Sequence, residues 1–274
     1  MNRKVTSKLI SIISSVAAVI MLSSTVSASG ILSSSAANGY NINILKNREK
    51  IELANKPFIE NGEVYVPLRE LMNVLDNNII VEWQNGIILV YTQESSYLLT
   101  IDKSEISINP TGKQAATYAE KADNNVLLKN DTTYIPYSAL GIMFKNPNNP
   151  NAVNYAVYDD VKQYNETKVW ADALITRDGE PRYNIMTDDM QKQFIQSQKE
   201  YVGGEDWNYI IGYSSPWTVS YNIVSLNDMA EITYYQTDST QEQYIVSERL
   251  TFEKADGKIL VSGNSECEPM LRSE

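Results

Sequence analysis

The sequence contains no histidine and only one cysteine among its 274 residues. Without histidine the chain cannot build a Ser-His-Asp or Cys-His catalytic arrangement. It also lacks the imidazole on which ordinary zinc, copper and non-haem iron sites rely. We therefore expect no metal site, no cofactor and no enzymatic activity. Because Cys267 has no second cysteine to pair with, folding has to rest on a hydrophobic core.

Long hydrophobic runs are also scarce, and the exception lies at the N-terminus. Three basic residues within the first eight precede an apolar run over residues 9–22, and small residues follow up to Ala28. This order is typical of a secretory signal peptide, which we predict over residues 1–28. The alternative is a membrane anchor, but the run is short and interrupted by serines, whereas a spanning helix needs about 20 apolar residues. We expect an extracellular protein, secreted or associated with the cell wall, without membrane contact after cleavage.

Positive charge is in short supply. The formal net charge is −11, and it becomes −14 when residues 1–28 are removed, because that segment holds three basic residues and no acid. The imbalance is greatest in residues 165–274, which hold 9 basic and 19 acidic residues. Nucleic acids and anionic lipids are poor partners for such a surface, so we expect no nucleic-acid binding.

One pattern occurs twice in the first half, at residues 65–75 and 134–144. In each copy two β-favouring residues lead into a proline, Pro67 or Pro136, which is well suited to the first turn of a helix. The apolar residues that follow have the spacing of one helical face. The sequence therefore predicts, twice, a strand that passes directly into a short amphipathic helix.

The region between the two copies is predicted to be mainly β. Two strand-like runs, 79–83 and 87–91, are separated by a segment ending in Asn85-Gly86, which suits a tight hairpin turn. Residues 113–125 have a helical composition without an apolar face, and we predict a loop that could hold a short helix. After the second copy, residues 146–151 contain prolines and asparagines that continue neither helix nor strand.

These paired motifs, Tyr-Val-Pro-Leu-Arg-Glu-Leu and Tyr-Ile-Pro-Tyr-Ser-Ala-Leu, together with the Val81–Trp83 strand, resemble the copper amine oxidase N-terminal-like, or stalk, domain. The resemblance covers residues 41–160 and follows a flexible lead-in over residues 29–40. It implies an α+β domain that serves as a non-catalytic surface module. Copper amine oxidases hold their copper with histidines, so the resemblance does not imply oxidase activity or bound copper here.

The second half begins with helical patterns and ends with strands. Residues 166–175 form a predicted helix that Gly179 closes, and Thr187 is placed to cap the next one. The buried stripe of this second helix is predicted as Met190, Phe194, Ile195 and Tyr201. From Trp217 onward long alternating runs predict a meander of strands. Helices followed by strands indicate an α+β layer.

This order of elements, with the helix over residues 170–174, the turn at 177–179 and the Arg182-Tyr183 pair, resembles NTF2-like (cystatin-like cone) domains. We expect that domain over residues 165–265, followed by a tail at 266–274. The whole chain is thus predicted as α+β with two domains. In NTF2-like folds a curved sheet and its helices leave a conical pocket.

The second half is rich in aromatic residues, which suit a concave site for a sugar, a peptide or a small apolar ligand. The alternative is that these rings pack between helices and sheet, since alternating strand positions are core by default. Arg177 could equally serve the C-terminus of its helix. The predicted ligand-binding residues are Trp170, Tyr183, Trp217 and Tyr221 as walls, with Arg177 and Arg182 as cations.

Three pairs of adjacent acids, at residues 159–160, 188–189 and 205–206, are weak candidates for acid–base chemistry. Neighbours in sequence seldom face one substrate atom, whereas a glycosidase needs two acids across a cleft. We therefore predict a non-catalytic binding protein of the cell surface or cell wall, with a wall polymer, a peptide or a small apolar ligand as partner. The alternative is a histidine-free enzyme or a small-ligand carrier that uses the conical pocket. A third possibility is a spacer or self-association role for the first domain.

Overall fold

The computed structural model describes residues 40–111, 116–144 and 153–268. The predicted signal peptide, nearly all of the lead-in, the run at 146–151 and residues 269–274 of the predicted tail lie outside these ranges. Within them the chain forms sixteen strands and five helices arranged in three sheets. The architecture is α+β with a large excess of strand.

The duplicated pattern forms the strand and helix predicted for it. Val66 lies opposite Ile135 at the centre of an antiparallel pair, and the tyrosine of each copy faces the proline of the other. The two copies are therefore related by a local twofold axis. They consist of β4 (Glu63–Pro67) with α1 (Leu68–Leu75), and β11 (Thr132–Pro136) with α2 (Tyr137–Phe144).

A buried carboxylate links the two copies. Oε1 of Glu63 accepts a hydrogen bond from the backbone N–H of Ser138 at 2.5 Å, and Oε2 accepts one from Nδ2 of Asn124 at 2.8 Å. Ser138 lies in the first turn of α2, so Glu63 of the first copy caps the helix of the second. Burial raises the pKa of Glu63 above its ordinary value of 4.5. Around β4 and β11 a four-stranded sheet is completed by β3 (Phe58–Glu60) and β10 (Leu127–Lys129), in the order β10-β11-β4-β3.

The second sheet has five antiparallel strands in chain order. The predicted hairpin is confirmed, with Asn85 and Gly86 at φ values of 51° and 82°. Part of the segment predicted as a loop or short helix is instead an edge strand, β9 (Tyr118–Lys121), which pairs with β8 (Glu105–Pro110). That pairing outweighs the helical composition of the segment. The strands are β5 (Ile80–Gln84), β6 (Ile87–Tyr91), β7 (Ser95–Thr100), β8 (Glu105–Pro110) and β9 (Tyr118–Lys121).

The third sheet has seven strands and crosses the predicted domain boundary. Its order is β16-β15-β14-β13-β12-β1-β2, with β12 parallel to β13 and the other pairs antiparallel. From the first half come β1 (Asn41–Lys46), β2 (Glu49–Ile51) and β12 (Val153–Tyr158), and from the second come β13 (Trp217–Leu226), β14 (Met229–Thr237), β15 (Gln243–Ala255) and β16 (Lys258–Glu266).

Each face of this sheet carries a hydrophobic core. On β12, Tyr155 and Val157 join the core of the first half, whereas Ala156 joins the core of the second. On β13, Val224 contributes to the first core and Ile223 to the second. Side chains alternate between the faces of a strand, so the two cores lie on opposite sides of a shared sheet.

Three helices cover the second face of the sheet: α3 (Val161–Thr176), α4 (Glu180–Asn184) and α5 (Asp188–Val202). The side chain of Asp160 caps α3 by accepting hydrogen bonds from the backbone N–H groups of Lys162 and Gln163. The predicted role of Gly179 in ending this helix is wrong, because Arg177 adopts the left-handed conformation there, with φ 60°. Thr187 is the N-cap residue of α5 as predicted, although its side chain makes no capping hydrogen bond.

Candidate functional site

Two of the predicted ligand-binding residues, Trp170 and Arg182, lie together in the core of the second half. Trp170 on α3 is 2 % exposed, and Arg182 on α4 is buried beside it. The guanidinium carbon of Arg182 lies 4.4 Å from the centroid of the Trp170 ring. Nε of Arg182 also donates to the carbonyl oxygen of Trp170 at 2.8 Å. The two side chains form a buried cation–π pair.

The carboxylate of Glu248, on β15, completes this cluster. Its Oε2 accepts hydrogen bonds from Nε1 of Trp170 at 3.0 Å and from the hydroxyl of Tyr234 at 2.9 Å. Its Oε1 accepts one from Nδ2 of Asn264 at 2.8 Å. Nη2 of Arg182 donates to the Tyr234 hydroxyl at 3.1 Å and lies 3.8 Å from Oε2 of Glu248. Burial and then the Glu248 charge raise the pKa of Tyr234, so this phenol remains a donor at neutral pH.

Tyr221, another predicted pocket wall, is buried in the same core but in a different group. It is 1 % exposed, and its hydroxyl donates to Oδ1 of Asp172 at 2.7 Å. Asp172 also pairs with Lys168 at 2.5 Å and with Arg48 at 3.5 Å. Because Arg48 follows β1, this group ties the first half to helix α3. Burial and then the Asp172 charge raise the pKa of Tyr221.

A further set of aromatic residues lies on α4, on α5 and on the segment that follows α5. The ring centroid of Tyr183 lies 5.9 Å from that of Phe194 and 5.5 Å from that of Tyr209, and the centroids of Phe194 and Tyr209 lie 6.3 Å apart. Trp207 meets Tyr209 edge-on at 5.1 Å, and Tyr201 and Tyr213 form a separate pair at 4.6 Å. We refer to this set as the aromatic face, which comprises Tyr183, Phe194, Tyr201, Trp207, Tyr209 and Tyr213.

Apart from Tyr183 on α4, the aromatic face is built by α5 and by the chain that returns across it. Phe194, Gln198 and Tyr201 share one side of the helix, because their spacings of four and three residues match its period. Gly203, with φ 73°, ends the helix in a left-handed conformation. The returning chain is held on that side by Nε2 of Gln198, which donates to the carbonyl oxygen of Ile210 at 3.4 Å.

Close backbone contact fixes the other end of the aromatic face. The N–H of Gly179 donates to the carbonyl oxygen of Tyr209 at 2.5 Å, and Asp178 forms a β-bridge with Ile210. A Cβ atom at position 179 would lie 2.6 Å from the Tyr209 oxygen and 3.0 Å from the Phe194 ring. Only glycine allows this approach, which is the physical role of the residue predicted to end α3.

The outer part of the aromatic face is open to solvent. Tyr201 is 60 % exposed and Tyr213 is 41 % exposed. The prediction that Tyr201 belongs to the buried stripe of its helix is therefore wrong, and the Tyr213 ring that it contacts is itself at the surface. Partial burial and then the Tyr201 hydroxyl raise the pKa of Tyr213 to about 12. The Tyr213 hydroxyl is thus a hydrogen-bond donor at neutral pH.

The remaining predicted residues, Arg177 and Trp217, lie beside the aromatic face. The Arg177 side chain is exposed, and its guanidinium carbon lies 5.8 Å from the centroid of the partly exposed Trp217 ring. Gly212, in the returning chain, lies close to Leu174 near the C-terminal end of α3. A Cβ atom added at position 212 would lie 3.3 Å from Cδ2 of Leu174. Arg177 is therefore held close to the chain that carries Tyr209 and Tyr213.

The six predicted residues thus fall into separate groups of contacts. Trp170 and Arg182 form a buried pair, Tyr221 lies in the same core with its hydroxyl on Asp172, and Tyr183 belongs to the aromatic face. The prediction did not include the rest of the aromatic face. Two sequence signals indicate these residues. Phe194 and Tyr201 are seven residues apart on α5, and three further aromatic residues lie between Gly204 and Pro216.

The adjacent acids have structural partners. Asp160 caps α3, Asp189 pairs with Lys192 at 2.8 Å, and Glu205 pairs with Lys199 at 2.5 Å. In the described ranges no cluster of three or more cysteine and acidic residues is placed to hold a metal ion. These contacts assign the acids to helix ends and surface ion pairs.

Comparison with known proteins identifies the first half. Residues 45–158 match the sequence model of the copper amine oxidase N-terminal domain family. This match confirms the resemblance found over residues 41–160, which was carried by the strand–proline–helix repeat. No curated protein matches the chain. Of the helices that the structure describes, none has both the length and the apolar character required to cross a bilayer.

Proposed function

We propose that the protein is an exported, non-catalytic binding protein of the cell surface or cell wall. We further propose that its aromatic face binds the sugar rings of a cell-wall polymer. The observation that carries the proposal is the grouping of six aromatic rings on α4, α5 and the segment after α5, where the adjacent rings of Tyr201 and Tyr213 are 60 % and 41 % exposed. Adjacent exposed aromatic rings are typical of a binding site, whereas single exposed rings are common anywhere.

The chemistry of the rings favours a sugar. One face of a sugar ring presents C–H groups that carry slight positive charge, and an aromatic ring presents a negative π-face. Tyrosine and tryptophan also place O–H and N–H donors at the edge of the stacked pair. Because aromatic side chains have few rotatable bonds, they lose little entropy when a ligand binds. The choice of a cell-wall polymer depends on export through the predicted signal peptide, because an exported protein meets that polymer outside the cell.

We also propose that residues 165–265 form an NTF2-like domain mounted on the stalk-like first half. Three helices packed on one face of a long antiparallel sheet support this assignment. In such a fold the pocket lies between helices and sheet. Here Trp170, Arg182 and Tyr221 are buried in that space, which favours binding at the rim, where the aromatic face lies.

The alternative of a histidine-free enzyme or a small-ligand carrier would depend on a buried acid of the second half. Glu231 is 2 % exposed and pairs with Arg249 at 3.4 Å, whereas Glu248 lies beside the predicted residues Trp170 and Arg182. A general base needs a lone pair directed at its substrate. Oε2 of Glu248 already accepts two hydrogen bonds and Oε1 accepts one. This arrangement favours a structural role for Glu248.

A binding assay with two surface tryptophans tests the proposal. Purified protein is incubated with insoluble peptidoglycan, and bound protein is measured after sedimentation. Loss of a central aromatic contact should weaken binding by about tenfold or more, so Trp207→Ala should reduce the bound fraction sharply. The control is Trp83→Ala, since Trp83 is 50 % exposed but lies on β5, in a different sheet. Equal binding by both variants and the wild type would refute the assignment.

A further inference from the structure

The backbone of Arg177 has a positive φ, which few side chains other than asparagine and aspartate adopt readily. Of the eleven described non-glycine residues with positive φ, eight are asparagine or aspartate, and the other three are Arg48, Arg177 and Gln241. Glycine is the usual residue where a helix ends in the left-handed region. Arginine at this position is therefore unfavourable for the backbone, and an observed conformational cost of this kind points to a role for the side chain.

The side chain of Arg177 is exposed and is directed over Trp217, with 5.8 Å between the guanidinium carbon and the ring centroid. No described carboxylate forms an ion pair with it. Neighbouring acids have other contacts: Oδ1 of Asp178 accepts the N–H of Glu180 at 3.0 Å, and Glu205 pairs with Lys199. The dipole of α3 favours a positive charge at its C-terminus, but that interaction needs neither the planar group nor the ring beneath it.

The position of Arg177 connects it to the proposed binding surface. The turn that follows it, Asp178-Gly179, is bridged to Ile210 and hydrogen-bonded to Tyr209 of the aromatic face. A ligand that lies across Tyr209 and Tyr213 would therefore pass close to the guanidinium. Arg177 and Trp217 extend the aromatic face with a cation.

We infer that Arg177, supported by Trp217, binds a carboxylate of the wall glycan whose sugar rings lie on the aromatic face. The inference rests on the proposed function. A guanidinium has planar N–H groups that match a carboxylate in a bidentate arrangement, and the Trp217 ring, 5.8 Å from the guanidinium carbon, adds a cation–π contact. Residues 165–274 hold 19 acidic and 9 basic residues, so the net charge of this half repels polyanions and a carboxylate needs a local cation such as Arg177.

The experiment compares two forms of one polymer. Peptidoglycan stripped of phosphate-containing polymers is used either untreated or after its carboxyl groups have been converted to amides. The wild type should bind the untreated form about tenfold more tightly, the size expected when one charge-assisted bidentate contact is lost. Arg177→Gly should bind both forms equally and melt at the same or a higher temperature, since glycine relieves the backbone cost. Arg177→Lys should retain only part of the preference.

The outcomes separate this inference from the proposed function. Equal binding of both polymer forms by the wild type, with Arg177→Gly unchanged, overturns the carboxylate contact and leaves the aromatic face as the binding site. Binding that appears only when phosphate polymers are still present overturns the choice of carboxylate. Binding of neither form overturns both proposals. A loss of preference in Arg177→Gly that is accompanied by a lower melting temperature would show a structural role and would also overturn it.

Discussion

Removing the carboxylate of Glu248 should destabilise the protein more than any substitution on the surface of β15. In Glu248→Ala, the Nε1–H of Trp170 and the hydroxyl of Tyr234 lose their acceptor, and Arg182 loses the nearest negative charge. Removing one partner of a buried charged network costs about 3–5 kcal/mol. In Glu248→Gln one carbonyl acceptor remains, so the loss should fall to about 1–2 kcal/mol.

Urea denaturation followed by tryptophan fluorescence measures these changes. The matched control is Glu253→Ala, an exposed acid on the same strand, which should stay within ~0.5 kcal/mol of the wild type. Combining Glu248→Gln with Trp170→Phe gives the coupling between the two side chains, expected at about 1–2 kcal/mol. If Glu248→Ala cost no more than the control, the buried network would not stabilise the second half, and our reason for rejecting a catalytic Glu248 would fail.

Other predictions concern the first half and the turn that supports the aromatic face. Burial raises the pKa of Glu63 above 4.5, so the folded state binds this proton more tightly than the unfolded chain. The stability that Glu63 contributes is therefore greatest below pH 4.5 and declines as pH rises through the raised pKa. Over that pH range the unfolding free energy of the wild type should fall relative to that of Glu63→Gln, whose side chain does not titrate. A constant difference between the two proteins would contradict this prediction. Gly179→Ala should lower stability by about 1–3 kcal/mol, since the new Cβ meets the Tyr209 oxygen. Gly141→Ala, in α2 with open space around it, should raise stability by about 0.5–1 kcal/mol; shifts of the same sign in thermal melts would refute the contrast.

The local elements of the first half could be predicted from the sequence because their signals lie within a few residues. Proline after a β-favouring pair, and Asn85-Gly86 between two strands, specify backbone geometry by themselves. The antiparallel pairing of Val66 with Ile135 could not be predicted, because it joins segments far apart in the chain. Periodicity shows which residues are apolar, but it does not show which strand each one meets.

The sheet shared by the two halves could not be predicted from the sequence, for a related reason. All residues from Val153 to Val157 are buried, because cores lie on both faces of β12. A strand buried on both faces has no alternation that would indicate which core it serves. The sequence therefore suggested a boundary near residue 165, next to a sheet to which both halves contribute strands.

The sequence patterns indicated only some of the residues now placed in the candidate site. The second half was recognised as rich in aromatic residues, but strand alternation drew attention to Trp217 and Tyr221 over the segment before them. Tyr201 has the helical spacing of a buried residue, yet it is 60 % exposed, and the Tyr213 ring that it contacts is 41 % exposed. Burial at the end of a helix depends on what covers it, and a helical pattern contains no information about that cover.

The most direct test of the central claim uses the indole N–H signals of the four tryptophans in a nitrogen-15 NMR spectrum. Trp83 reports on the first half, Trp170 on the buried network, Trp207 on the aromatic face and Trp217 on the Arg177 contact. Titration with soluble peptidoglycan fragments should shift the signals of Trp207 and Trp217 and leave those of Trp83 and Trp170 in place. A shift confined to Trp83 or Trp170, or no shift at saturating fragment, would contradict the claim that the aromatic face binds the cell wall.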